Sequence, residues 1–462
     1  MKKQKLALLI GLSSALFLTA CGGSSSSSDN GTIANKVVRG SIDGFGSVIV
    51  NGVRYNTDNA NFSVNESAGI QADLKVGQVI TLLGNASGNN GIASNIIYER
   101  DLKGPITAVD GDNFTVLGQT VLTNKLTVYK GLTLPLIVGS SVEISGYISG
   151  ETLIASYVEL NDNSDSEVEL RGVIADLNEA AGTFNIRGQQ VSYNSTTELD
   201  LEGETLANDL RVEVEGDLNA ELVLIANEIE SDEEIFEKDT ELELVGITSS
   251  FDLEAQTFTV NGTQVSWNSS TDFDGLNAVS LKDGIQIEVE GSVNAEGVLV
   301  AEDIKINDDT SISIEATITE LTATDTFSGT ITILGIEVNV DMNTRMSDDD
   351  ENPNFSAMFN FSNLNVGEKV ELEISGDTTN GYRAVKLERD YDTDNNGLNE
   401  VKIEVPASLI NLETKTVLGI SFVASAEVSL TVLDNLTADT EVELEGTING
   451  DILTITSIGI DD

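Results

Sequence analysis

Apolar and polar residues alternate along most of the chain with a period of two, the signature of strands half-buried in antiparallel sheets. Ile285, Ile287 and Val289 fall on one side of such a strand, and Gln286, Glu288 and Glu290 on the other. Phe258 and Val260 alternate in the same way, and after Asn261 and Gly262 the alternation resumes with Val265 and Trp267. An Asn-Gly step between alternating strands predicts a tight hairpin, because both residues accept positive φ. A strand through Val245, Gly246 and Ile247 precedes this hairpin, and a polar segment, 268–283, follows it. With closing strands at 285–291 and 298–306, the stretch from Leu244 to Asp308 reads as one five-stranded β unit.

The chain holds about six versions of this unit, a fixed-period repetition that has to be recognised before any fold is assigned. They are read as 37–100, 101–166, 167–239, 240–310, 311–399 and 400–462. Repeats three and four match best: Gly172, Gly188 and Gly216 fall at nearly the spacings of Gly246, Gly262 and Gly291. Repeat five is looser, with an insertion around 347–359, and in repeat six Pro406 and Ala407 occupy the place of the first glycine.

The expected fold is all-β: a tandem array of small five-stranded, OB-like antiparallel barrels, with a sandwich of the same strands as the alternative. The glycine near the end of each first strand suggests a bulge or sharp coil where the sheet curls closed. Glu302, on the apolar side of its strand, predicts a bulge or an edge there. Units this small are marginal alone, so packing between neighbours in a row is expected.

The N-terminus reads as an address. Lys2, Lys3 and Lys5 precede an apolar run, Leu6 to Leu18, too short to span a bilayer core of about 30 Å as a helix. Residues 1–20 are therefore a secretory signal. The run ends in Leu18, Thr19, Ala20 and Cys21, which resembles the bacterial lipoprotein box. That resemblance implies cleavage before Cys21 and acylation of its thiol and amine, giving stable membrane anchoring. Residues 21–36, rich in Gly and Ser, then act as a lipidated flexible tether. Gly22 after the lipid site, by resemblance to enterobacterial sorting, implies the outer membrane.

The lipobox, the Ser-rich tether and the recurring Gly, Phe-Thr-Val-Asn-Gly and Val-Glu-Val-Glu-Gly elements resemble an uncharacterised repeat family of bacterial lipoproteins, a domain of unknown function. The likeness covers nearly all of 37–462 and implies architecture only, since it brings no catalytic or ligand residues.

Composition narrows the function. The chain of 462 residues carries 24 Lys+Arg against 77 Asp+Glu, a net charge of −53, which repels nucleic acid and anionic lipid and favours cations or basic partners. There is no histidine, which excludes Ser-His-Asp triads, Cys-His pairs and His-ligated zinc. Cys21 is the single cysteine, so no intramolecular disulfide forms. No acidic pair stands apart from the glutamates on exposed strand faces, such as Glu213 and Glu215, and small barrels rarely enclose a substrate-sized pocket. An enzyme is not expected.

Two constellations merit testing. Asp390, Asp392, Asp394, Asn396 and Glu400 surround Gly397 in a pattern like the first half of an EF-hand loop, a candidate Ca²⁺ site, although Ile403 stands where the bidentate glutamate belongs. The same stretch also reads as an acidic linker, like 161–165, 231–234 and 307–309 at other repeat junctions. Tyr55, Tyr193, Trp267 and Phe422 recur at one place in the hairpin, but alternation with Val53, Val191, Val265 and Ile420 assigns them to the core, and no basic groove accompanies them. Nucleic acid is rejected as a partner. The expected function is a non-catalytic envelope lipoprotein, a tethered scaffold or protein-interaction module. The alternative is a Ca²⁺- or polysaccharide-binding envelope protein acting through its acidic inter-repeat loops.

Overall fold

The computed structural model describes residues 36–461, apart from short segments at 112, 133, 162–165, 202, 233–235, 237, 274–280, 307–311, 350–351, 353–354, 357, 378–380, 392–398 and 439. Repeat four shows the common plan. Its first strand, Glu241–Asp252, pairs antiparallel with the second, Thr257–Val260, which turns into the third, Thr263–Ser266. The third runs parallel to the fifth, Leu299–Ile306, and the fourth, Gln286–Val293, pairs with both the fifth and the first. The order first-second-third-fifth-fourth-first closes a five-stranded barrel with OB-like connectivity. Repeats 1, 2 and 5 close in the same order.

In repeats 3 and 6 the first strand is split. Ile174 separates Val168–Val173 from Ala175–Asn178. In repeat six a 3₁₀ turn, Ala407–Leu409, follows Pro406 and divides Glu400–Pro406 from Ile410–Asn411. Proline lacks the N–H a continuing ladder needs, which accounts for the break.

The hairpin between the second and third strands has the same turn in all six repeats. Residues 51–52, 117–118, 187–188, 261–262, 334–335 and 418–419 all have positive φ, and the second of each pair is glycine. That is the twist that matches a two-residue hairpin to its strands. The glycine of the first strand serves this turn and is not a bulge. Gly246 keeps regular register with Ile287, and a Cβ there would sit 2.5 Å from the Asn261 side chain, which folds back over it to donate to Val245 O. The first strand's register shift comes later, between Ser249 and Asp252.

A second bulge lies where the fourth strand crosses the fifth. Gly84, Gly146, Gly216, Gly291 and Gly446 each mark a register shift there, and in repeat five the shift falls at Ile374. In repeat four Gly291 faces Ala301 while Glu290 faces Asp303, so Glu302 is the extra residue and is exposed. The bulge expected at Glu302 is present. It turns a charged side chain out of a strand whose Leu299, Ala301 and Ile304 are buried.

The barrels do not form a simple row in sequence order. They fuse edge to edge in three pairs, each a continuous sheet. The first strand of repeat 1, Lys36–Phe45, runs parallel to that of repeat 4, with Lys36 to Arg39 against Glu241 to Leu244. Repeats 2 and 3 join through Leu102 and Lys103 against Leu170 and Glu169, and repeats 5 and 6 through Ser313 to Glu315 against Glu404 to Lys402. The pairs then pack on one another. Ser41 N donates to Tyr147 Oη at 3.0 Å, Arg345 donates to Leu126 O at 2.6 Å, and Val79, Tyr147, Val245 and Ile247 form a small apolar seam between repeats 1, 2 and 4. Neighbour-only packing is thus replaced by pairing of repeats 1 and 4. Each first strand already has one free edge, where it overhangs its own hairpin, and a second copy of that edge is its natural complement.

Candidate functional site: the charged junction between repeats

Because barrel interiors take the apolar side of every strand, the charged side faces outward, and where barrels abut it becomes buried. The residue just before the first-strand glycine points out of the barrel. It is Arg39 in repeat 1, Lys103 in repeat 2 and Arg171 in repeat 3. Three cations at one repeat position are notable in a chain with only 24.

Arg171 is the centre of the junction. It is 5% exposed, and its guanidinium donates to Glu99 Oε2 at 2.9 Å, Asp232 Oδ1 at 2.6 Å, the Arg100 carbonyl at 3.0 Å and Glu213. Arg100 in turn donates to Glu169 at 2.5 Å and Glu143 at 3.1 Å, so two arginines tie together repeats 1, 2 and 3. Arg211 adds a bond to Asp232 Oδ2 at 2.8 Å. Burial opposes the charge of Arg171, but Asp232, Glu213, Glu99 and Glu169 outweigh it and raise its pKa. Asp232 is pushed up by burial and pulled down further by Arg171 and Arg211, ending below its ordinary value. Glu213 goes the other way. Burial, with Glu169 and Glu66 beside it, overcomes Arg171 and pushes it up to about 10.

Carboxylates also converge around Glu213, on which Arg171 already sits. Among the described residues, Glu66, Glu213 and Glu230 bring one oxygen each within 4.8 Å of one another, and so do Glu169, Glu213 and Glu215. Hard oxygen donors of this kind suit Ca²⁺ or Mg²⁺. Glu66 comes from a hairpin of repeat 1, with φ +61, and Glu213 and Glu230 face each other across the fourth and fifth strands of repeat 3.

Two cavities among the described residues lie between barrels. One, of 390 Å³, is lined by Arg39, Asp101, Arg171, Arg211, Asp232 and parts of the repeat-four hairpin. A larger one, of 1330 Å³, lies between repeats 1 and 2 and the outer face of repeats 5 and 6.

The residues expected from the sequence are distributed differently. Cys21, and Asp392, Asp394 and Asn396 of the proposed Ca²⁺ loop, lie outside the described residues. Asp390 is bound to Lys369 at 3.1 Å, and Glu400 is exposed at the start of its strand. The aromatic series is core: Tyr55, Trp267 and Phe422 are buried, and Tyr193 is half-buried against Phe184 with ring centroids 5.9 Å apart. The inter-repeat ion network is absent from the sequence reading, whose clue was the recurring cation before glycine.

No curated protein matches the chain. Among solved structures it is similar to a fragment titled drosophila Unr CSD456, at 13% identity over 45% of this chain and 98% of that one, with a TM-score of 0.13. It is also similar to a multidomain protein with nucleic acid binding domains from Streptococcus pneumoniae TIGR4, at 10% identity over 48% and 73% of the two chains, with a TM-score of 0.14. Superpositions this poor carry no functional argument. Sequence matching is firmer: the model of a domain of unknown function, DUF5666, matches residues 103–159, 171–230, 246–305 and 315–388, more than half the chain and one barrel per match. The chain belongs to the DUF5666 family.

Proposed function

We propose that the chain is a non-catalytic lipoprotein of the bacterial cell envelope, held at the outer membrane by acyl chains on Cys21 and serving as a scaffold on which other envelope components dock. The observation that carries this reading is the locking of the barrels to one another. Arg171 and Arg100 join three repeats through buried ion pairs, and Lys125 of repeat 2 binds Glu404 and Glu441 of repeat 6 at 3.0 and 2.7 Å. Rigid relative placement of many small barrels suits presentation of a fixed surface. Fractionation of cells tests the anchor: Cys21→Ala is expected to move the protein from membranes to the soluble fraction. Retention on the membrane would rule out the lipid anchor. Crosslinking in intact cells tests the scaffold, with discrete envelope partners expected and none recovered if the reading is wrong.

Ca²⁺ binding is a second reading, favoured by the two carboxylate groups that share Glu213. A metal there would have to displace Arg171 from Glu213 and compete with the proton that burial favours on it, so affinity would rise with pH, and Glu213→Gln would remove it.

A further inference from the structure

Glu371 and Glu373 lie on the outer face of the fourth strand of repeat 5, Lys369–Asp377, and both line the 1330 Å³ cavity. The wall they belong to is a lattice of charges across adjacent strands. Glu371 stands between Glu315 and Glu388, three acids in one cross-strand row, and Glu373 stands between Ser313 and Lys386. Like charges directly opposite one another destabilise a sheet unless something compensates them. Glu315 is compensated by Lys369, and Glu388 by Lys386 at 3.3 Å. Glu371 and Glu373 form no ion pair among the described residues.

Glu373 is 1% exposed, and its Oε2 is buried without a hydrogen-bond donor, as is Oγ of Ser347 on the same cavity. Burial, with Glu371 nearby, pushes its pKa up to about 8 against the pull of Lys125, Ser313 and Lys386. The cavity carries eight carboxylates against five lysines. Those lysines are committed: Lys125 to Glu404 and Glu441, Lys402 to Glu404 and Glu443, Lys386 to Glu388, Lys75 to the carbonyls of Ala72, Asp73 and Leu74, and Lys130 over the Phe355 ring at 5.3 Å.

We infer that this cavity binds a linear organic polyamine, with ammonium groups on Glu371 and Glu373 and its methylenes against the Tyr129, Phe355 and Leu134 wall. The two carboxylates are two residues apart on a strand, about 7 Å, the span of a short alkyl linker between ammonium groups. A bare divalent ion fits less well, since no three carboxylates of this cavity converge among the described residues as those around Glu213 do. Aromatic faces attract cations, and the Phe359 ring on the same cavity already carries the Arg389 guanidinium at 4.7 Å.

The test is calorimetric titration of the purified full chain with spermidine in 0.15 M NaCl at pH 8.5. One saturable site per chain is expected, weakened at least tenfold in Glu373→Gln and in Glu371→Gln, both with thermal midpoints no lower than the parent. Lowering the pH to 6.5 is expected to weaken binding, because Glu373 takes up a proton. Absence of a saturable heat, or equal affinity in Glu373→Gln, would overturn the inference. Stoichiometric displacement of spermidine by Ca²⁺ would overturn it in favour of a metal site.

Discussion

Arg171 holds repeat 3 to Glu99 and the Arg100 carbonyl of repeat 1, and its replacement has a calculable consequence. Breaking a buried ion pair from one side leaves charges without compensation and costs about 3–5 kcal/mol. Arg171→Met keeps the bulk of the side chain and takes a cation from Glu99 and Asp232, leaving Asp232 to Arg211. Asp232 has a folded pKa below its ordinary 3.8, so its pairing contributes stability above that pH and loses it as the pH falls through the folded value. Once Arg171 is gone, Asp232 and Glu99 relieve the lost compensation by taking up protons at higher pH than before. The deficit of Arg171→Met in urea unfolding should therefore be greatest at pH 8 and shrink toward pH 4. A deficit independent of pH would show that lost packing, not charge, is the cause. At this scale the sequence was legible where the barrel interior decides: alternation placed Tyr55, Trp267 and Phe422 in the core, and the misplaced charge of Glu302 marked its bulge. It was silent on Arg171, because a strand's outward face looks the same whether solvent or another barrel covers it.

Among elements, the crossing of the fourth and fifth strands is the most constrained. A Cβ on Gly291 would lie 2.1 Å from the Val300 carbonyl oxygen, and on Gly216 and Gly446 the same distance from those of Ile225 and Thr454. Backbone, not a flexible side chain, occupies the space, so an added methyl forces the strands apart. Gly291→Ala should lower unfolding free energy by about 1–3 kcal/mol, as overpacking does elsewhere, read from the urea midpoint. An unchanged midpoint would mean that the crossing is looser than described. The hairpins and the five-stranded barrel were readable because turn glycines and two-residue alternation act locally. The first-strand glycine was readable as special but not for its reason, since the Asn261 side chain that needs the space arrives from a different strand. The segment after each third strand, read as merely polar, contributes short parallel strands such as Val128–Lys130 and Arg345–Asp348, too brief to leave a periodic signal.

For the whole molecule, the decisive fact is which repeats meet. Sequence repetition implies neighbours in a row, yet repeat 1 pairs with repeat 4 through parallel strand edges, closed by Lys36 on Glu243 at 2.5 Å and Asn51 on Glu243 at 2.7 Å. Nothing local encodes that choice: every first strand offers a similar edge, and selection among them rests on charges such as Lys36 and Glu243 that are distant in sequence. Small-angle scattering of the chain without its signal and tether tests the consequence directly. A single body of 36–461 should have a radius of gyration of about 22 Å, by the scaling of compact domains. A value well above 30 Å would contradict the account, since it would mean barrels strung out in sequence order with no pairing of repeats 1 and 4.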